Sequence, residues 1–205
     1  MYLETLSKTS IEILSFLTSR IKESFTVRQI AETIKKDYKI THTMTMRLSS
    51  QHYITAEKKP PVTYCRINLK GNTALIAYIE AIRAHRFFKK HKDIELITND
   101  LTSKITTPFY TLILFGSYAK ETASANSDLD LLIIIPERNF EKQIEVAIGS
   151  VQHVSPIGIH PTILTNSEFS ELLKQKKPNV AREAIDNRIV PYGAEMLLKM
   201  LEEVL

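Results

Sequence analysis

Apolar residues recur at helical spacing through the first hundred positions of the chain, then gather into short continuous runs. Ile11, Ile13, Leu14, Leu17 and Ile21 fall near a 3.6-residue period and predict a helix over 10–21, with Ser10 as a candidate N-cap. Thr26, with Gln29 three residues on, has the form of a capping box; Val27, Ile30, Ala31 and Ile34 then mark a short amphipathic helix. A turn is expected over 36–39. Residues 41–52 form a third expected helix, with Met44 and Leu48 facing inward. Residues 53–56 read as a strand, 57–61 as a loop because Pro60-Pro61 stops regular pairing, and 62–69 as a returning strand. Residues 72–91 contain no Gly or Pro, and Leu75, Ile76, Ile79, Ile82 and Arg86 mark one stripe of a helix. Asp93 is the expected cap of the next helix, which carries Ile94, Ile97, Leu101 and Ile105.

After Pro108 the period changes. Residues 110–115 and 129–135 have the length and β-branched content of buried strands. A helix over 137–148, a strand over 157–164 and a helix over 168–176 capped by Ser167 follow. A helix over 179–185 and a closing amphipathic helix over 192–205, with Ala194, Leu197, Leu198, Leu201 and Leu205, complete the pattern.

The two apolar runs enclose the chemistry. Gly116-Ser117 ends the first, ten residues intervene, and Asp128-Leu129-Asp130 opens the second. Side chains two apart on a strand share a face, so Asp128 and Asp130 lie side by side. Two adjacent carboxylates repel and are costly to bury, and a divalent cation offsets that cost. Gly116 and Ser117 let backbone N–H groups and a hydroxyl approach a phosphate. Lys120 stands one turn beyond Gly116 and is a candidate phosphate partner.

This stretch resembles the active-site signature of the DNA polymerase β-like nucleotidyltransferases in their minimal form: strand, Gly-Ser, about ten residues, then Asp-x-Asp on the next strand. The resemblance implies attack of an acceptor hydroxyl on the α-phosphorus of a nucleoside triphosphate, with pyrophosphate leaving. It implies Mg²⁺ (or Mn²⁺) as cofactor, ATP or another NTP as substrate, Asp128 and Asp130 as catalytic metal ligands, and Gly116, Ser117 and Lys120 on the phosphates. Active members carry a third acid on the next strand. Here that strand, 157–164, has no Asp or Glu, and His160 or Thr162 falls at the position. Three accounts stay open: His160 as general base or metal ligand, an acid from a helix or partner subunit, or a site that binds without catalysis.

Residues 10–69, three helices then a hairpin, look like a winged helix-turn-helix. The later helix of such a domain enters the DNA major groove. Here it would present Thr41, His42, Thr43, Thr45 and Arg47, with Lys58 and Lys59 at the wing tip. The alternative is a protein-docking or RNA-binding module.

Composition narrows the picture. Net charge is +4, but residues 1–107 hold 18 Lys and Arg against 10 Asp and Glu, while residues 108–205 hold 9 against 13. The basic half points to a polyanionic partner. Arg83, His85, Arg86, Lys89, Lys90, His91 and Lys92 form a basic cluster on the helical connector, whose apolar stripe suggests packing on both domains or a homodimer. Cys65 is alone, which excludes a disulfide framework or a cysteine zinc site. No apolar run approaches the ~18 residues of a membrane span. The stretch MYLETLSKTS lacks a signal pattern, so a cytoplasmic protein is expected.

The expected architecture is α+β: a winged helix domain over 1–70, a helical connector over 71–107, and a minimal nucleotidyltransferase domain over 108–205 with a small mixed sheet. The expected function is transfer of a nucleotide, AMP from ATP, to a protein or nucleic-acid hydroxyl, with the winged helix docking DNA or a partner. Minimal members of the family are often antitoxins that nucleotidylate a partner toxin of the HEPN type. The alternative is a DNA-binding transcriptional regulator with a catalytically inactive nucleotidyltransferase domain.

Overall fold

The structure, a computed structural model, describes residues 6–204; Leu205 and the first five residues of the N-terminal stretch read above lie outside them. The chain divides into two compact units that part between Ile79 and Glu80.

In the first unit, α1 (Lys8–Ser19) starts one turn earlier than the apolar period suggests. Ser7, not Ser10, is its N-cap, and its Oγ accepts from the Ser10 backbone N–H at 3.1 Å. β1 (Phe25–Thr26) leads into α2 (Val27–Ile34) through the expected capping box of Thr26 and Gln29. Lys35, at φ 54°, ends α2, and Asp37 caps α3 (Tyr38–Ser50) by accepting from Lys39 and Ile40. The expected turn over 36–39 is therefore shorter, because α3 begins at Tyr38. β2 (Ile54–Lys59) and β3 (Val62–Ile67) pair antiparallel, and β1 adds to the other side of β3. The strand runs to Lys59, so 57–59 is strand rather than loop, and only Pro60-Pro61 turns the hairpin. Ile13, Leu14, Leu17, Ile30, Leu48 and Ile54 form the core.

α4 (Thr73–Lys90) crosses the division, and α5 (Lys92–Lys104) follows. The expected connector is not a separate body. Ala84, Phe87, Phe88, Ile94, Ile97, Leu101 and Ile105 all join the core of the second unit, and that part of the stripe is not left for a second copy. Asp93 is no cap: the position before α5 is His91, whose side chain makes no capping bond.

The second unit is built on a four-stranded mixed sheet in the order β6-β5-β4-β7. β4 (Thr111–Phe115) and β5 (Leu129–Ile135) are antiparallel neighbours, and apart from half-buried Asp130 every residue in them is buried. Their continuous apolar runs are those of strands covered on both faces. α7 (Glu141–Val154) carries the chain from β5 to its parallel neighbour β6 (Ile159–Thr165). Leu112, Leu114, Leu131, Ile133 and Ile135 pack with α5 and α7 on one face. Alternation sends Ile113, Leu132 and Ile134 to the other face, where α8 (Asn166–Lys174), α9 (Val180–Asp186) and α10 (Ala194–Val204) lie. α8 is capped by Thr165, in a capping box with Glu168, and not by Ser167. β7 (Ile189–Tyr192), of which only Tyr192 fell in an expected element, the closing helix, is an edge strand beside β4. Each edge strand carries a proline, Pro161 or Pro191, which blunts further pairing. Among the described residues no helix is long and apolar enough to cross a membrane.

A buried ion network joins α4 to the segment before β7. Arg188 donates from Nε and Nη2 to Glu80 Oε1 at 2.8 and 2.7 Å, and both side chains are fully buried. Arg83 donates to Glu80 Oε2 and to the Arg188 carbonyl. Arg83 therefore leaves the basic cluster, as does half-buried His91, which packs on Phe87.

Candidate functional site

The sheet brings the separated motif residues to one edge. Phe115, the last residue of β4, pairs with Asp130 near the start of β5. The chain then turns straight into a short helix, α6 (Gly116–Ala119). Gly116 adopts φ +69°, in the left-handed region, and a Cβ there would stand 1.9 Å from Asp130 Oδ2. Glycine is required twice over, for the turn and for the carboxylate lying against it. Asp128 is seated in the same way: a Cβ on Gly158 would stand 2.0 Å from Asp128 Oδ1, and the Gly158 carbonyl accepts from the Leu129 N–H at 2.7 Å. Asp128 is exposed and Asp130 half-buried. Two glycine cradles, one just after β4 and one just before β6 on either side of β5, thus hold the two carboxylates at the same strand end.

The first-turn N–H groups of α6 have no intrahelical acceptor, and half-buried Ser117 Oγ makes no hydrogen bond among the described residues. These donors lie beside Asp130. Carboxylates and phosphate-directed donors on one strand end suit a hard cation shared with phosphate oxygens. Asp128 and Asp130 fit such a cation as partial ligands. Among the described residues no trio of His, Cys, Asp or Glu is placed to hold a metal ion by itself. Buried Cys65, whose thiol burial pushes up to about 11, belongs to the first unit's core.

His160 is the β6 residue in register with Asp130, and Thr162 pairs with Leu132 on the same face. His160 Nδ1 lies 3.1 Å from Asp130 Oδ1. No carboxylate stands on β6. Lys120 does not face phosphate alone: its Nζ pairs with Glu183 Oε1 of α9 at 2.9 Å. The loop after α6 is tied back by Lys90 to Glu121 at 2.6 Å, which holds the Glu121 carboxyl below its ordinary range.

In the first unit the expected recognition face needs correction. Thr41 and Thr45 are fully buried, because the i, i+4, i+7 set of Thr41, Thr45 and Leu48 is the inward stripe of α3. Thr41 Oγ1 donates to the Asp37 carbonyl instead. His42, Thr43 and Arg47 are exposed on α3, with Tyr38 and Ile40, and Lys58 and Lys59 are exposed next to the hairpin turn.

Gly158 and the Glu80–Arg188 pair are the functional and supporting residues that sequence reasoning missed. A glycine at the head of a strand was the one available signal for the first. The Gly116 cradle also makes a prediction. Gly116→Ala is expected to keep the fold but push Asp130 off its seat, lowering any activity of the site by about 100-fold, the usual cost of an ångström-scale misplacement. A thermal melt run beside the activity measurement checks it; full activity would remove the cradle from the site.

No curated protein matches the chain. Residues 99–190 match the family model of the nucleotidyltransferase domain, a span holding both carboxylates, both glycine cradles and His160. The C-terminal half of this α+β chain therefore carries a nucleotidyltransferase domain.

Proposed function

We propose that the second unit transfers a nucleotide, AMP from ATP, to a hydroxyl of a protein or nucleic acid. The observation that supports this most is the seating of Asp128 and Asp130 against Gly158 and Gly116, at the strand end where α6 offers free donors. In the reaction the acceptor oxygen bonds to the α-phosphorus. The bond from that phosphorus to its bridging oxygen breaks, and pyrophosphate and the acceptor proton leave. Ser117 Oγ and the α6 amides hold phosphate oxygens and orient the triphosphate. Asp128 and Asp130 hold Mg²⁺ or Mn²⁺, which when bound neutralises phosphate charge. Lys120 adds its positive charge to the triphosphate by exchanging its Glu183 partner for phosphate oxygens. Ser117 has no neighbouring base in sequence to activate it, so it acts as a phosphate holder and not as a nucleophile.

The first unit, in this proposal, is a winged helix that brings the acceptor or docks DNA. His42, Thr43, Arg47, Lys58 and Lys59 form its exposed polar set. A toxin partner is the protein acceptor that the resemblance to minimal nucleotidyltransferases implies. If α3 reads duplex DNA, Arg47→Ala is expected to cost about 1–3 kcal/mol of affinity and to flatten sequence preference. Gel-shift titration at fixed salt checks this, and unchanged binding would remove α3 from the reading position.

A second reading is a regulator whose nucleotidyltransferase domain has lost catalysis. One observation favours it: β6 bears His160 and Thr162 where a carboxylate is expected. Incubation with α-labelled ATP, each cation and protein or nucleic-acid acceptors separates the two. Labelled product supports transfer; sequence-specific DNA binding with no labelled product under any cation supports the regulator.

A further inference from the structure

We propose that His160 is a nitrogen ligand of the cation site and turns its preference from Mg²⁺ towards Mn²⁺. The inference rests on the nucleotidyl-transfer reading above and concerns the one position where this chain departs from a three-acid set.

The geometry comes first. His160 and Asp130 are register partners on adjacent parallel strands, so their side chains leave the sheet on the same face. Nδ1 and Oδ1 are 3.1 Å apart. Two donors in neighbouring positions around one octahedral cation, each about 2.1–2.2 Å from it, stand about 3 Å apart. The His160–Asp130 hydrogen bond holds the two atoms at that ligand-to-ligand spacing, and a bound cation would take the place of its proton. The imidazole is 72% exposed and its Nε2 makes no hydrogen bond among the described residues, so the hydrogen bond to Asp130, and not core packing, sets the ring's position. Asp128, on the same strand end, adds a second carboxylate. The finished cage is absent among the described residues, which makes cation binding dependent on the triphosphate oxygens.

Chemistry then sets the preference. A neutral imidazole in place of a third carboxylate removes one negative charge from the donor set. Mg²⁺ binds through charge and oxygen, demands near-ideal octahedral geometry and dehydrates reluctantly, so it loses most. Mn²⁺ accepts carboxylate and stands above Mg²⁺ in its tolerance of nitrogen donors. The same set admits Co²⁺, whereas the two hard carboxylates disfavour soft Cu(I).

The test uses the full chain with a non-hydrolysable α,β-methylene analogue of ATP. Mn²⁺ and Mg²⁺ affinities are measured by calorimetry for the wild type, His160→Ala and His160→Asp, and pulsed electron paramagnetic resonance of bound Mn²⁺ reads nitrogen coupling. Mn²⁺ is expected to bind the wild type at least about tenfold tighter than Mg²⁺. His160→Ala should lose about tenfold in Mn²⁺ affinity and less than about twofold in Mg²⁺. His160→Asp should gain Mg²⁺ affinity, and histidine nitrogen coupling should vanish in both variants. Cation binding that Asp128→Asn abolishes but His160→Ala leaves intact, without nitrogen coupling in the wild type, overturns this inference alone. No cation-dependent binding of the analogue to the wild type overturns the transfer reading itself, and this inference with it.

Discussion

Asp130→Asn is expected to lower nucleotidyl transfer by about 100- to 1,000-fold without unfolding the protein. The substitution keeps size and shape, so the seat against Gly116 remains filled. It removes a full charge from the place where phosphate charge is neutralised, and losing one preorganised electrostatic partner costs about 100- to 1,000-fold in comparable sites. It also removes the repulsion between two carboxylates two residues apart. The melting temperature should therefore stay level or rise slightly, the pattern of a site whose function is bought with stability. Labelled-product formation and thermal melts on the same preparation read both effects. Full activity would place the chemistry elsewhere, and a collapsed melt would make Asp130 a structural residue.

Glu80→Ala is expected to cost about 3–5 kcal/mol, a large share of the roughly 5–15 kcal/mol that holds a folded protein together. Glu80 and Arg188 are both fully buried, and every oxygen of the carboxylate has a guanidinium donor. Removing the acid takes away the carboxylate that receives two of the buried Arg188 donors. Arg188 Nη1 would keep the Ile185 carbonyl at 2.7 Å, but a neutral carbonyl does not replace the lost carboxylate charge. Replacing the pair together, Glu80→Leu with Arg188→Met, should recover most of the loss, because two apolar groups need no partners. Urea unfolding of the two single variants and the double variant measures the coupling. A loss under about 1 kcal/mol for Glu80→Ala would mean that water reaches the pair.

What could be read from sequence was local. β4 and β5 are continuous apolar runs, and the Gly-Ser to Asp-x-Asp spacing sits between them, so strand, turn and carboxylates were all legible in twenty-odd residues. Thr26 with Gln29 was legible because a capping box is a three-residue signal. β7 was not, since four residues after a polar turn, one of them proline, become a strand only by pairing with β4, some eighty positions earlier. Arg188 and Glu80 lie 108 residues apart, and neither looks buried in a window of its own sequence. Two caps shifted because serines and threonines crowd those positions: Ser7 competes with Ser10, and Thr165 with Ser167. Thr41 and Thr45 were a different failure. Their spacing to Leu48 is helical, but their polarity suggested a surface face, and the whole side chains are buried instead.

The most direct measurement is calorimetric titration of ATP into the full chain with Mg²⁺, with Mn²⁺ and with EDTA, repeated on Asp128→Asn/Asp130→Asn. Binding that needs the cation and disappears in the double variant is the predicted result, and it ties nucleotide recognition to the two seated carboxylates. Absence of binding with either cation, or binding that the double variant retains, would contradict a working nucleotidyl-transfer site and leave the exposed face of α3 as the place to seek function.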